Sequence, residues 1–227
     1  MNYVLSDYGL IILSLLIAVG ADLYIKFNYK KYSGKQTNTS NSGYEAARKI
    51  LDENGLGEVG INMVDGELTD FYDPSNKSVN LSTNIYKGQT IAAVSVAAHE
   101  CGHAIQDKDG YTFLKIRRKL VPVVNFASYA GYFAVVIGLI FASLQLIKIG
   151  IIMELIILFF QLITLPVEFN ASKRGLKQIK TLGLLENDEY KGAKKMLTSA
   201  ALTYVAGVAG AVIQVLRLVL ILRRRDD

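Results

Sequence analysis

Residues 97–106, with the sequence AAHECGHAIQ, contain both histidines of the chain, His99 and His103. Small and branched apolar residues lead into this segment, Thr90 supplies a capping hydroxyl before them, and Gly110 follows. The pattern predicts a helix that begins after Thr90 and ends before Gly110. Because four residues make about one helical turn, the two imidazoles lie on one face and can hold one metal ion together.

Glu100 follows the first histidine directly and completes the pattern His-Glu-x-x-His, a recognised catalytic signature. Zinc suits this pattern, because it binds neutral imidazole well and keeps one coordination position open for water. Glu100 then lies beside the zinc-activated water and can take its proton as the water attacks a peptide carbonyl. The alternative is a chance placement on a core helix, and it is disfavoured because the chain has only 2 histidines and both are in this motif.

A catalytic zinc ion needs a third protein ligand, and with no further histidine it must be a carboxylate or the single cysteine. Cys101 is turned away from the histidine face, so we interpret it as a small packing residue. Glu168 stands out among the carboxylates. It follows the third apolar block, where a membrane hairpin returns to the side that carries His103. An ordinary interfacial charge is the open alternative for Glu168.

The apolar residues, 51% of the chain, gather in long blocks separated by charged segments. This patterning is typical of a membrane protein and not of a soluble globule. The first block has no basic residues before it and no cleavage site after it, which predicts a retained anchor and not a signal peptide. We predict a mainly α membrane protein with about four transmembrane helices, at residues 5–24, 121–147, 149–166 and 200–222.

The blocks divide the chain into five segments. They are an N-terminal transmembrane helix (1–25), a small α+β zincin-like domain with the histidine helix (26–120), a transmembrane hairpin (121–166), a cytoplasmic segment with the third zinc ligand (167–199), and a C-terminal membrane helix with a basic tail (200–227). Within the second segment, Ser42 and Glu45 have the spacing of a capping box, and Asn54-Gly55 predicts the end of that helix. Residues 59–82 predict a small meander or hairpin.

Basic residues flank the polar segments. They include Lys26, Lys30, Lys31, Lys35, Lys115, Arg117, Arg118, Lys119, Lys173, Arg174, Lys177, Lys180, Lys191, Lys194 and Lys195. By the positive-inside rule, the zincin-like domain faces the cytoplasm of a multi-pass cell-membrane protein. Arg223, Arg224 and Arg225 conflict with this topology, so either the rule is violated there or the last block does not fully cross. Anionic lipid explains the net charge of +5 better than nucleic acid does.

The chain resembles the bacterial membrane-bound family of neutral zinc metallopeptidases over nearly its whole length. The matching motifs are His99 to Gln106, Phe71-Tyr72-Asp73-Pro74, Val79-Asn80-Leu81-Ser82, Leu165 to Ser172, and Ala200-Ala201-Leu202-Thr203-Tyr204. In that family and in the related gluzincins the third ligand is a downstream glutamate, which the resemblance assigns to Glu168. Related sequences often have an acidic residue shortly after it, whereas this chain has Asn170 and Ser172; a neutral amide can also accept a histidine N–H.

Three further residues or segments carry open alternatives. Arg174 either stabilises the oxyanion of the tetrahedral intermediate or faces lipid or solvent. Glu154, inside the third block, either pairs with Arg217 or lines a polar cavity. The strand that ends at Ser82 either is an edge that receives an extended substrate or only completes a small sheet.

The sequence therefore predicts a membrane-embedded zinc metalloendopeptidase whose metal ligands are His99, His103 and Glu168 and whose catalytic base is Glu100. Its cofactor is Zn²⁺, and its partners are a protein or peptide substrate near the membrane and the lipid bilayer, with no nucleic acid. A non-cleaving membrane scaffold with a structural zinc site is the alternative, and it has no need of a base at position 100. A zinc transporter is a second alternative, but its ligands are expected at bilayer depth, inside the apolar blocks.

Overall fold

The computed structural model describes residues 2–226, with side chains described for residues 8–223. Within that range the chain forms seven α-helices and three β-strands. In chain order they are α1 (Asn2–Ser33), α2 (Gly43–Glu53), β1 (Gly60–Val64), β2 (Phe71–Asp73), β3 (Ser78–Ser82), α3 (Thr83–Lys87), α4 (Ile91–Lys108), α5 (Thr112–Ile140), α6 (Leu144–Thr181) and α7 (Asn187–Asp226).

Four of these helices, α1, α5, α6 and α7, are long and apolar enough to cross a bilayer among the residues described. Many of their large apolar side chains are exposed, including Leu16 at 64%, Tyr129 at 72% and Phe133 at 58%. Exposure of this kind is expected where lipid and not water is the solvent. The predicted mainly α membrane fold with a small sheet is therefore confirmed. Of the predicted basic tail, the side chains of Arg224 and Arg225 lie outside the described residues.

The chain divides into two compact units. One, which we call the membrane unit, contains the residues up to Asp22, Lys115–Leu165 and the residues from Leu202 onward. The other, which we call the site unit, contains Leu23–Leu114 and Pro166–Ala201. The long helices α1, α6 and α7 thus contribute residues to both units.

The hairpin of the membrane unit turns earlier than the sequence predicts. Helix α5 ends at Ile140 and α6 begins at Leu144, so Lys148 lies inside α6 and not in the turn. Ala142 makes the turn with φ 53°, a left-handed conformation, although it is not a glycine. The predicted boundary between the second and third blocks was therefore wrong by several residues. In the same unit, Glu154 lines a cavity with Asp22 and Gln161, which is the second of the two alternatives stated for it.

The first helix of the site unit forms as the sequence predicts. Ser42 accepts a hydrogen bond from the backbone N–H of Glu45, and the Glu45 side chain bonds back to the Ser42 N–H, so the capping box is complete. The helix ends at Glu53, Asn54 is its C-cap residue, and Gly55 follows with φ 64°. Its buried face, which includes Ile50 and Leu51, belongs to the apolar core of the unit.

The three strands form one sheet in the order β1-β3-β2. Strand β3 pairs in parallel with β1 and antiparallel with β2. Of the two predicted alternatives, the hairpin is present as β2–β3, and the strands do not form a meander, because β1 pairs with β3 and not with β2. Of the two alternatives stated for the strand that ends at Ser82, the second holds, since β3 is the central strand of the sheet and is buried along its whole length.

Helix α4, which carries the histidines, is the most deeply buried helix of the site unit. The Thr90 hydroxyl accepts a hydrogen bond from the Ala93 N–H at 3.2 Å, as predicted for the helix cap. Residues such as Ala92, Ala97 and Ala98 are fully buried, which allows neighbouring elements to approach its backbone closely. Gly110 has φ 66° just beyond its end. The helix therefore holds the histidine motif rigidly inside the core.

Candidate metal centre

The structure brings His99, His103 and Glu168 together in the site unit. Glu168 Oε2 lies 3.3 Å from His99 Nε2 and 3.5 Å from His103 Nε2. Two ligands held about 2.1 Å from a tetrahedral zinc ion are about 3.4 Å apart, so these distances fit zinc coordination. The donor set of two imidazoles and one carboxylate also fits a catalytic zinc site that keeps a position open.

Two glycines allow α4 and α6 to approach closely enough for this arrangement. A Cβ atom on Gly102 would lie 2.3 Å from the carbonyl oxygen of Ala171, and one on Gly175 would lie 2.6 Å from that of Ala98. Glycine inside a helix costs about 1 kcal/mol relative to alanine, so its presence at both crossing points needs a packing reason. The glycines therefore set the helix separation that places Glu168 beside the histidines. Sequence reasoning missed this pair.

The variant Gly102→Ala is expected to lower both the stability of the site unit and its zinc affinity. The new methyl group would overlap the backbone of α6, so the two helices must separate, at a cost of about 1–3 kcal/mol. Thermal unfolding and measured zinc content would show a lower midpoint and partial loss of metal. Gly210→Ala is the matched control, because nothing lies within 4 Å of that position. Unchanged zinc content in Gly102→Ala would contradict the role given to this crossing.

Each histidine is oriented through the nitrogen that does not face Glu168. His99 Nδ1 lies 3.1 Å from Ser172 Oγ, and His103 Nδ1 lies 3.0 Å from Gln106 Oε1. With Nδ1–H donating to these oxygens, Nε2 keeps its lone pair for a metal. The acceptors are therefore a hydroxyl and an amide, and no acidic side chain is used in this role.

Gln106 is in turn held by two acceptors on α6. Its Nε2 donates to the carbonyl oxygen of Val167 at 2.7 Å and to Asn170 Oδ1 at 3.0 Å. The neutral amide of Asn170 thus supports His103 through Gln106. Gln106 is fully buried. A glutamine three residues after the second histidine was the available sequence signal for this role, and sequence reasoning did not use it.

Glu100 lies beside the cluster of His99, His103 and Glu168 and is not part of it. Its side chain is buried, with 7% exposed, and its carboxylate accepts a hydrogen bond from the backbone N–H of Tyr72 in β2. Burial raises the pKa of Glu100 to about 7, with Glu168 and Asp70 acting in the same direction and His99 opposing them. A carboxylate with this pKa is suited to accept and to release a proton near neutral pH.

Cys101 and Arg174 have partners outside the metal centre. Cys101 is completely buried, and its Sγ donates to the carbonyl oxygen of Ala47 at 3.7 Å. Burial raises the pKa of this thiol, so it stays protonated and packs as an apolar group. Arg174 donates to Asn170 at 2.7 Å and forms an ion pair with Asp109 at 2.5 Å. It therefore braces the Gln106–Asn170 contact from the outside.

Comparisons with known proteins agree with a zinc site in a membrane protein. The sequence profile of the family described as "Putative neutral zinc metallopeptidase" matches residues 8–223. The chain is 45% identical over 219 residues to the "Putative membrane protease YugP" of Bacillus subtilis (strain 168), and the match covers 96% of this chain and 97% of that protein. No solved structure gives a significant match. The chain belongs to the family described as "Putative neutral zinc metallopeptidase".

Proposed function

We propose that this protein is a membrane-embedded, gluzincin-like zinc endopeptidase that hydrolyses internal peptide bonds of proteins or peptides near the bilayer. His99, His103 and Glu168 hold the zinc ion, and Glu100 is the general base. The observation that carries the proposal is the position of Glu168 Oε2, at 3.3 and 3.5 Å from the two histidine Nε2 atoms. Those two separations match the spacing of ligands on a tetrahedral zinc ion, and all three ligand atoms lie within 4.8 Å of one another.

Zinc, when bound, supplies Lewis acidity that polarises a carbonyl and makes a water molecule easier to deprotonate. The remaining steps belong to this chain's own residues. Glu100 takes a proton from the attacking water and delivers it to the leaving amine. The Tyr72 N–H holds the Glu100 carboxylate in one orientation. Ser172 and Gln106 hold the two imidazoles, so the ligands need little reorganisation when substrate binds.

A non-cleaving scaffold with structural zinc is the alternative, and the environment of Glu100 argues against it. A structural site is closed by four protein ligands, whereas the metal-ligand cluster found among the described residues has three. A buried carboxylate with a raised pKa also costs stability at neutral pH, and a scaffold gains nothing from it. A role in catalysis explains why a carboxylate is buried at position 100.

Removal of zinc is the direct test of the proposed activity. The purified protein in detergent is expected to cleave casein, to lose this activity on treatment with 1,10-phenanthroline, and to regain it when zinc is added. The thermal midpoint should fall with the metal, because a ligand at about 100 times its Kd stabilises the native state by about 2.7 kcal/mol. The non-chelating isomer 1,7-phenanthroline is the control. Undiminished cleavage in the chelator would rule out a zinc peptidase.

We also propose that the site unit faces the cytoplasm, since basic residues border it on both sides of the apolar blocks. Ser75 lies in the exposed turn between β2 and β3, so a cysteine placed there is accessible from the side that the site unit occupies. In a Cys101→Ala background, Ser75→Cys is expected to resist an impermeant maleimide in intact cells and to react after permeabilisation. Equal labelling before and after permeabilisation would place the site unit outside.

A further inference from the structure

A groove of about 450 Å³ in the site unit is lined by residues of α6 and α7. Its apolar surface is provided by Phe169, Leu176 and Leu197, among others. Neither the proposed metal ligands nor the proposed general base lines this groove. Its polar lining is distinctive, because it is dominated by one type of charge.

Four lysines line the groove, and no aspartate or glutamate does. They are Lys173, Lys177 and Lys180 of α6 and Lys194 of α7, and all four are exposed. Across the described part of the chain, none of the four has an ion pair or a hydrogen bond from its ammonium group. Other surface lysines of the protein do have such partners, as Lys77 has Asp107 and Lys191 has Asp188. The groove thus holds a concentration of uncompensated positive charge that attracts an anionic ligand.

One end of the groove lies near the metal centre along α6. Ser172 lines the groove, and its hydroxyl also contacts Nδ1 of His99 at 3.1 Å. Phe169, at the same end of the groove, is the residue next to Glu168. A ligand in the groove therefore begins beside the supports of the metal ligands and extends away from them along the helix.

The length of the groove matches a short stretch of peptide. From Phe169 to Lys180 the helix rises by about 16 Å, at about 1.5 Å per residue. An extended peptide covers that distance with about five residues. Along α6 the three lysines are about 4.5–6 Å apart in rise. Alternate side chains of an extended strand are about 6–7 Å apart and lie on one face, so they can meet successive lysines.

We propose that this groove binds an acidic segment of the peptide substrate, with aspartate or glutamate at alternate positions on one side of the scissile bond. The inference rests on the proposed peptidase function and names the substrate class that the site selects. The apolar surface of Leu176 and Leu197 receives the intervening apolar side chains. An anionic lipid head group offers one phosphate, whereas charges spread along α6 and across to α7 are neutralised better by several carboxylates on one chain.

Binding and cleavage are to be measured separately, with the zinc-loaded protein in neutral detergent. Binding uses the Glu100→Gln background and fluorescence anisotropy of labelled twelve-residue peptides, in pairs that carry aspartate or asparagine at alternate positions on either side of a central apolar pair. The groove variant is Lys177→Gln/Lys194→Gln. The control is Lys191→Gln/Lys195→Gln, which removes the same charge from residues that line a different cavity.

The aspartate peptide of one pair is expected to bind on the order of tenfold more tightly than its asparagine partner, since at least two exposed ion pairs form and each raises the affinity by about threefold. The groove variant should lose most of this preference and the control should keep it. The preference should also shrink as salt rises from 0.05 to 0.5 M, because these charges are screened.

The outcomes separate the two proposals. If wild type cleaves neither peptide while the charge preference persists and depends on the groove lysines, the groove assignment stands and the peptidase function falls. If both peptides of each pair bind equally, if neither binds, or if the control loses as much preference as the groove variant, the groove assignment is overturned. It is also overturned if the groove variant keeps the peptide preference but retains less phosphatidylglycerol through purification, because the groove is then a lipid site.

Discussion

Glu100→Gln is expected to lower peptide-bond cleavage by about a hundredfold or more, the loss that follows removal of a positioned proton acceptor. Zinc content should stay at the wild-type level, because Glu100 is not among the three grouped ligand residues. The fold should also stay intact. The glutamine amide oxygen can still accept the Tyr72 N–H, and a neutral side chain is cheaper to bury than a carboxylate.

The effect of Glu100→Gln is measured by casein cleavage, metal analysis and thermal unfolding on one preparation. Glu58→Gln is the control for loss of one negative charge, since that side chain is exposed and has no role in the proposed site. Activity within a few fold of wild type in Glu100→Gln would remove Glu100 from the general-base role. A loss of zinc together with activity would instead show that the substitution disturbs the ligands.

Features that depend on neighbouring residues could be predicted well from the sequence. The capping box at Ser42 and Glu45 and the Thr90 cap each involve groups within three residues of one another. The common face of His99 and His103 follows from helical periodicity alone. Local geometry fixes these features, so the sequence carries a direct signal for them.

Strand order could not be predicted in the same way. The β-prone segments of residues 59–82 were correctly placed, but β1 skips β2 and pairs with β3. Which strands pair depends on how they pack over the rest of the unit, and a short stretch of β-prone residues does not encode that. Consequently the sequence left open whether β3 is an edge strand, whereas the structure makes it the central strand, and β2 contacts Glu100 through its backbone.

The hairpin boundary and the crossing of α4 and α6 could not be predicted from the sequence, for two different reasons. Residues 141–143 contain neither glycine nor proline, so the turn lies unmarked within a continuous apolar run. The crossing of α4 and α6 depends on Gly102 and Gly175, which are far apart in sequence. The hairpin argument nevertheless predicted that Glu168 lies near His103, because a hairpin must return to its starting side.

Glu168→Gln is expected to lower zinc affinity by about a hundredfold or more. Removing a residue that only hydrogen-bonds to a metal ligand already lowers affinity by about 10–100-fold, and loss of the ligand itself should cost at least as much. The amide keeps the volume of a side chain that is only 2% exposed, so a cavity does not explain the result. Its oxygen is neutral and a poor substitute for a carboxylate on zinc. Activity should fall with the metal, in contrast to Glu100→Gln, which should lose activity alone.

Zinc titration monitored by thermal unfolding measures this difference, because metal bound only to the native state raises the midpoint. Wild type and Glu100→Gln should show the same rise with added zinc, and Glu168→Gln should need far more zinc to reach it. If Glu168→Gln kept full zinc occupancy and near-normal cleavage, another carboxylate would have to be the ligand. Asp107 and Glu186 are the next candidate ligands, but Asp107 already binds Tyr72 and Lys77, and Glu186 binds Asn38. Either residue would have to leave these partners to reach the histidines, whereas Glu168 already lies beside them. Loss of zinc in Glu168→Gln but not in Glu100→Gln would therefore identify Glu168 as the ligand.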